Sequence, residues 1–219
     1  MIKKISYKDQ IYEHLKQAII MGDMTSEEIY SEQMIADKLK VSRTPVREAV
    51  LQLRFENLVD VFSGRGFSVR PIHFFDVQQI IQARTAVEGA SLRALIIGLD
   101  TSEGLEILKQ METCIKQDMP AALAEENNYH FMRTDMEFHM LGVSFTGNEF
   151  FIQIMSMMRT RLEQAMFSSL KKQMRPIAAI DEHERIFSSV KRRDTDGAIR
   201  ALVDHMSTTE NILREMMAD

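Results

Sequence analysis

Apolar residues recur at helical spacing along most of this chain, and the one stretch where the period changes lies near residue 60. Ile11, Leu15, Ala18 and Ile19 fall at i, i+4, i+7 and i+8, one stripe of a helix that Ser6 caps and Gly22-Asp23 ends. A second short helix starts after Ser31 and is expected to bury Met34, Ile35 and Leu39. The break at Lys40-Val41 is brief, and Ser42 then suits the N-cap of a third helix. Pro45 sits in its first turn, where a missing N–H costs little, and Val46, Ala49, Val50 and Leu53 supply its buried face. Two short β-prone runs follow, Leu58 to Phe62 and Phe67 to Arg70, around the turn Ser63-Gly64-Arg65-Gly66.

Three short helices and a hairpin are the layout of a winged helix-turn-helix, whose third helix would enter a DNA major groove. Pro71-Ile72-His73 marks the expected boundary, giving a DNA-binding domain over residues 1–72 and an effector and dimerisation domain over residues 73–219. Beyond the boundary the spacing predicts six helices: 75–98, 102–117, 121–143, 149–169, 176–192 and 194–217. The third should break near Glu126-Asn127-Asn128. The fold class is therefore mainly α, with the second part an antiparallel all-helical bundle, an architecture that often holds a small molecule or metal between its helices.

Composition narrows the class further. The 219 residues allow one large domain or two small ones at about 150 residues per domain. With 45% hydrophobic and 27% charged residues, the chain is neither disordered nor collagen-like. Its one cysteine, Cys114, permits no intrachain disulfide and no Cys-based zinc site. The absence of an apolar run of about 18 residues or of a signal-like N-terminus leads us to expect a cytoplasmic protein with no membrane partner.

Charge changes the picture only locally. The net charge of −5 argues against nucleic acid, but residues 1–72 balance 11 Lys and Arg against 10 Asp and Glu. From Lys38 to Arg54, five cations face one acid, Glu48, which is compatible with one small DNA-binding module. Arg43 and Arg47 are four apart near the start of the third helix, where the arginine fork can bond guanine O6 and N7 together. Ser42, Thr44 and the free N–H groups there suit phosphate oxygens, and Gly64-Arg65-Gly66 puts a cation on a flexible hairpin tip. The same spacing also fits solvated surface arginines.

In the second part, Asp135 and His139 are four apart on one helix, while His183 and His205 lie on the last two helices among apolar neighbours such as Ile186 and Leu202. Oxygen and imidazole donors from three helices suit a divalent ion, zinc first, with nickel or manganese as other fits. The spacing is equally that of hydrogen-bonded core histidines and an ordinary Asp–His helix contact.

The run Val41-Ser42-Arg43-Thr44-Pro45-Val46-Arg47-Glu48-Ala49-Val50, followed by Leu53 and Leu58-Val59, resembles the signature of GntR-family transcriptional regulators over residues 8 to 70. The resemblance implies DNA contacts by Arg43, Thr44 and Arg47, with Gly64 in the wing. Gln33 stands where many relatives carry arginine, so that DNA contact would be read differently here, and the usual Pro-Gly after the first helix is replaced around Ser26-Glu27. Asp135-x-x-Phe138-His139, Gly147-Asn148, His183 and His205 resemble the FCD effector domain of FadR-type members, in which an Asp and three His commonly bind a divalent metal. Six effector helices resemble the VanR-like branch. Arg84 and Glu88 match an Arg-x-x-x-Glu pattern whose arginine pairs with an effector carboxylate. Arg84 shares a stripe with Ile80, Ile81, Val87 and Ser91, so it should point inward, where Glu88 is its other available partner.

The expected function is a ligand-responsive regulator, most simply a homodimeric repressor on palindromic double-stranded DNA, sensing a small organic acid beside the metal, and not an enzyme. Two alternatives use the same residues. One is a metal-free polar pocket for a sugar acid or amino acid. The other is a metallohydrolase, for which no spare carboxylate is identifiable as a general base, though Glu137 or Glu182 could be proposed.

Overall fold

The structure, a computed structural model, describes residues 6–125, 128–169 and 176–217. The chain divides into two compact units between Ile72 and His73.

The first unit holds α1 (Tyr7–Ile20), α2 (Glu32–Leu39), α3 (Arg43–Phe55), β1 (Val59–Phe62) and β2 (Gly66–Val69). Ser6 and Ser31 cap α1 and α2 by accepting from the N–H groups of Asp9 and Met34, each satisfying one donor that the first helical turn leaves unpaired. Ser42 also occupies an N-cap position, before α3, but its hydroxyl makes no cap hydrogen bond, contrary to the expectation from sequence. Ile11, Leu15 and Ile19 from α1 meet Val46, Ala49, Val50 and Leu53 from α3 in one core, closed below by Leu58, Val59, Phe67 and Val69. Met34 does not join it: the side chain is exposed, and Ala36 takes the inward position beside Ile35.

The two strands pair antiparallel, Val59 opposite Val69 and Phe62 opposite Gly66. Tyr30, in the segment before α2, adds a third rung by exchanging both backbone hydrogen bonds with Phe67, at 2.7 and 2.9 Å. That rung explains Gly66. Its φ is +123°, and a Cβ there would run into the Tyr30 carbonyl, so glycine is required twice over.

The second unit is a helical bundle: α4 (Phe74–Ile97), α5 (Ser102–Thr113), α6 (Met119–Ala124), α7 (Asn128–Phe145), α8 (Glu149–Ser169), α9 (Pro176–Lys191) and α10 (Thr195–Met217). These are six long helices and one of six residues, because the expected 121–143 helix is two elements. Its expected break falls partly on residues 126 and 127, outside the described residues. A wide π turn over Cys114–Asp118 joins α5 to α6, with helical dihedrals at the flanking Thr113 and Met119. Pro120 accounts for it: the ring has no N–H and would clash with the carbonyl four residues back, at Lys116, and the wider turn accommodates both. The helix therefore passes through 118–120, where the sequence suggested a gap. α4 packs against α7, α8 and α10, and α10 against α9, so side chains from α4, α7, α9 and α10 reach a common interior. No helix among the described residues is long and apolar enough to cross a membrane.

Candidate functional site

α7 presents Asp135 and His139 one turn apart on its inner face, α9 supplies His183 and α10 supplies His205. All four are buried, and one donor atom from each lies within 4.8 Å of the others. His139 Nε2 stands 3.1 Å from His183 Nε2 and 3.2 Å from His205 Nε2. The Asp135 carboxylate lies 3.3 Å from His183 Nε2. Phe138 closes the centre on one side, edge-on to the rings of His139 and His183.

The other nitrogen of each ring decides what the converging atoms are. His183 Nδ1 lies 2.6 Å from the Ala179 carbonyl oxygen, which can only accept, so Nδ1 carries the proton. His139 Nδ1 lies 2.6 Å from Glu88 Oε2. Burial works against ionisation of Glu88, but Arg84 and His139 outweigh it and bring the carboxyl down to about 2, so it accepts here as well. His205 Nδ1 pairs with Glu182 Oε2 at 2.8 Å. In the neutral imidazoles, then, His139 and His183 face each other with two bare lone pairs. Burial pushes His183 below its usual value, and burial followed by the facing imidazoles pushes His205 well below it, which favours the neutral rings. Burial would raise the Asp135 carboxyl, but positive charge on any of the three facing rings, with Arg84 behind them, holds it below its usual value.

A cluster of acceptors with no proton between them is repulsive on its own and attractive around a cation. The spacing agrees: two nitrogens about 2.0–2.1 Å from one zinc ion stand roughly 3 Å apart. Oriented outer partners on each imidazole are also what a metal centre requires. The donor set thus fits a divalent ion.

Beside this cluster lies a cavity of about 100 Å³, with Asp135, His205, Glu182 and Arg84 at its polar end. Arg84 is only 1% exposed, and its Nε donates to Glu88 Oε1 at 2.7 Å. Its Nη2, however, is buried without a hydrogen-bond partner. A buried guanidinium N–H left unpaired is costly, and an anion in the cavity would satisfy it. Arg84 points inward as its stripe suggested, and Glu88 is its partner. What the sequence did not give is that the same Glu88 also holds His139, or that Ala179 and Glu182 orient His183 and His205. Ala179 stands one helical turn before His183, a spacing that could have suggested its role. Glu182 carries no comparable signal.

In the first unit, Ser42, Arg43, Thr44 and Arg47 gather exposed at the start of α3. Arg43 Nε donates to Glu32 Oε2 at 2.8 Å, which leaves its terminal nitrogens to project from the helix end. Gln33 is exposed on α2, with its amide donating to Asp37 at 2.8 Å. Gly64, at φ +71°, and the exposed Arg65 form the tip between β1 and β2.

Comparison with known proteins agrees with both units. Residues 7–69 match the family described as bacterial regulatory proteins, gntR family, and residues 79–208 match the FCD domain. The chain belongs to the GntR family of regulators that carry an FCD domain. A relative is the HTH-type transcriptional repressor RspR of Escherichia coli K12, 24% identical over 207 residues, covering 94% of this chain and 89% of that protein. Another is an HTH-type regulator of Bacillus subtilis 168, YdhC, 26% identical over 205 residues, with 94% and 90% covered. Among solved structures, E. coli McbR/YncC superposes with a TM-score of 0.80 at 18% identity, covering 97% of this chain and 99% of that one. A GntR regulator from Rhodococcus sp. RHA1 also gives 0.80 at 20% identity, with 95% and 97% covered. GntR-family members bind DNA and are regulators, not enzymes, and this chain is one of them. Among the two carboxylates considered as hydrolytic bases, Glu182 is engaged with His205, and Glu137 is exposed beside Arg133.

Proposed function

We propose that this protein is a homodimeric repressor whose affinity for a palindromic operator is set by a small carboxylate bound beside a divalent metal ion. Asp135, His139, His183 and His205 hold the ion, zinc in the first instance and nickel or manganese otherwise. Arg84 binds the effector carboxylate. When bound, the ion supplies a Lewis-acidic anchor for a carboxylate oxygen. Glu88 then serves both halves of the site, orienting His139 through one oxygen and Arg84 through the other. Arg43, Thr44 and Arg47 on α3 read the major groove, with Ser42 and Gln33 on the flanking backbone and Gly64 and Arg65 in the wing.

The observation that carries the reading is the 3.1 Å approach of the His139 and His183 Nε2 atoms beside the unpaired Arg84 Nη2. One group wants a cation, the other an anion, and Asp135 and His205 of the first cluster line the same cavity as Arg84. A metal-coordinated carboxylate satisfies the two together.

Elemental analysis of untagged protein as purified, with His139→Ala alongside, tests it. The expected result is about one divalent ion per chain, lost in the variant. A folded wild-type protein that holds no metal and takes up none on incubation with zinc overturns the metal reading in favour of a polar pocket.

A further inference from the structure

Along α10 the cavity lining passes from His205 through Thr208 and Thr209 to Ile212, Leu213 and Met216, and this change from polar to apolar says something about the rest of the ligand. Away from Arg84 and the metal-binding residues, the wall is built by Phe131, Leu162, Met166, Ile212, Leu213 and Met216. Arg84 is the one arginine or lysine among the described lining residues. Two threonines also border the space, and the Thr208 hydroxyl already donates to the Asp204 carbonyl at 3.0 Å. That leaves Thr209 as the one side-chain hydroxyl whose hydrogen bonds are not already given to the fold.

Resting on the carboxylate reading above, we propose that the effector is a monocarboxylate with an apolar body, an unbranched or phenyl-bearing acid, and not a sugar acid or a dicarboxylate. A polyhydroxylated acid would bury several hydroxyls against Leu, Ile, Met and Phe side chains with no partners for them. A dicarboxylate would place its second charge against the same wall, where no second lysine or arginine lines the cavity among the described residues. An alkyl or phenyl group instead leaves water for a surface of matching chemistry, and the thioethers of Met166 and Met216 adapt to its shape. Size narrows the class. The cavity's 100 Å³ takes on the order of seven to ten water-sized positions, which fits an acid of roughly five to eight carbons.

The test is isothermal titration of the zinc-loaded full-length protein with propionate, butyrate, pentanoate, hexanoate and benzoate, against succinate, adipate and gluconate. Affinity should rise about fourfold per added methylene from propionate to hexanoate, the fold-change that corresponds to about 0.8 kcal/mol. The heat-capacity change should become more negative with chain length, as burial of apolar surface requires. Met216 is partly exposed, so Met216→Lys leaves the core intact while placing a cation at the apolar end. In that variant hexanoate should weaken at least tenfold and adipate should tighten. Gluconate or succinate binding more tightly than hexanoate, or affinity flat across the series, overturns the apolar-tail inference while leaving the carboxylate reading standing. If no acid in the panel binds a chain that has retained its zinc, both fall together.

Discussion

Glu88 is one carboxylate with two duties, and at the scale of single residues most of the site's behaviour follows from it. It lies buried between a guanidinium and an imidazole, each within hydrogen-bond distance of a different oxygen. Replacing it with glutamine keeps the shape, removes the charge and leaves one acceptor oxygen for two donors, so either His139 or Arg84 faces an NH2 group and Arg84 loses its counter-ion. Glu88→Gln should therefore weaken metal binding by about 10–100-fold, the usual effect of losing an outer partner. Competition with a fluorescent zinc chelator would measure this, and an unchanged affinity would mean that His139 needs no such orientation. The acid side has its own sign. Glu88 is held at about 2 in the fold, below its ordinary value of 4.5, so its ionic contribution is complete above about pH 4.5 and is lost as pH falls toward 2. Acid unfolding of the metal-free protein should accordingly shift to higher pH in Arg84→Met, where the carboxylate keeps its burial and loses its main cation.

At the scale of elements, the first unit depends on α3, whose inner face is sealed by Val46, Ala49, Val50 and Leu53. Leu53→Ala should cost about 2–5 kcal/mol, read as a lower urea midpoint with little change in slope. Gly66→Ala should also destabilise this unit, because the methyl group meets the Tyr30 carbonyl that pairs with Phe67. Both elements could be read from sequence, since apolar spacing fixes a helix face and Gly64 and Gly66 mark the turn. Met34 could not. Its position fits the stripe of a short helix, yet an eight-residue helix packed on one side has room inward for only a residue or two per turn, and Ala36 lies there instead. The 102–125 region escaped for a different reason. Pro120 reads as a helix stop, and no sequence period announces that a π turn will absorb it. In the site, the four metal-type residues were legible because Asp and His at one-turn spacing on an apolar face are conspicuous. Their outer partners were not, since Glu182 and the Ala179 carbonyl acquire meaning only when α9 meets α10.

At the scale of the whole molecule, the proposed ion ties α7, α9 and α10 together and reaches α4 through Glu88. Binding to the folded state alone stabilises by mass action, about 4 kcal/mol at a free concentration 1,000 times Kd. Stripping with a chelator should thus lower the melting temperature of the helical bundle, and zinc should restore it. On the DNA side, Arg47→Ala should cost about 1–3 kcal/mol on the operator and little on random DNA, measured by fluorescence anisotropy at fixed salt. Equal losses on both would assign Arg47 to phosphate instead of a base. The donor set of the metal centre has a last consequence, for oxidative chemistry. Its ligands are nitrogen and oxygen atoms, and the single thiol, Cys114, is buried and pushed up to about 11, so it stays protonated. A peroxide dose that empties thiolate zinc sites should leave this ion in place. The vulnerable atoms are the thioether sulfurs of Met166 and Met216, whose conversion to sulfoxides would make the greasy end of the cavity polar. Under oxidative stress such a sensor would keep its metal and lose its taste for its ligand.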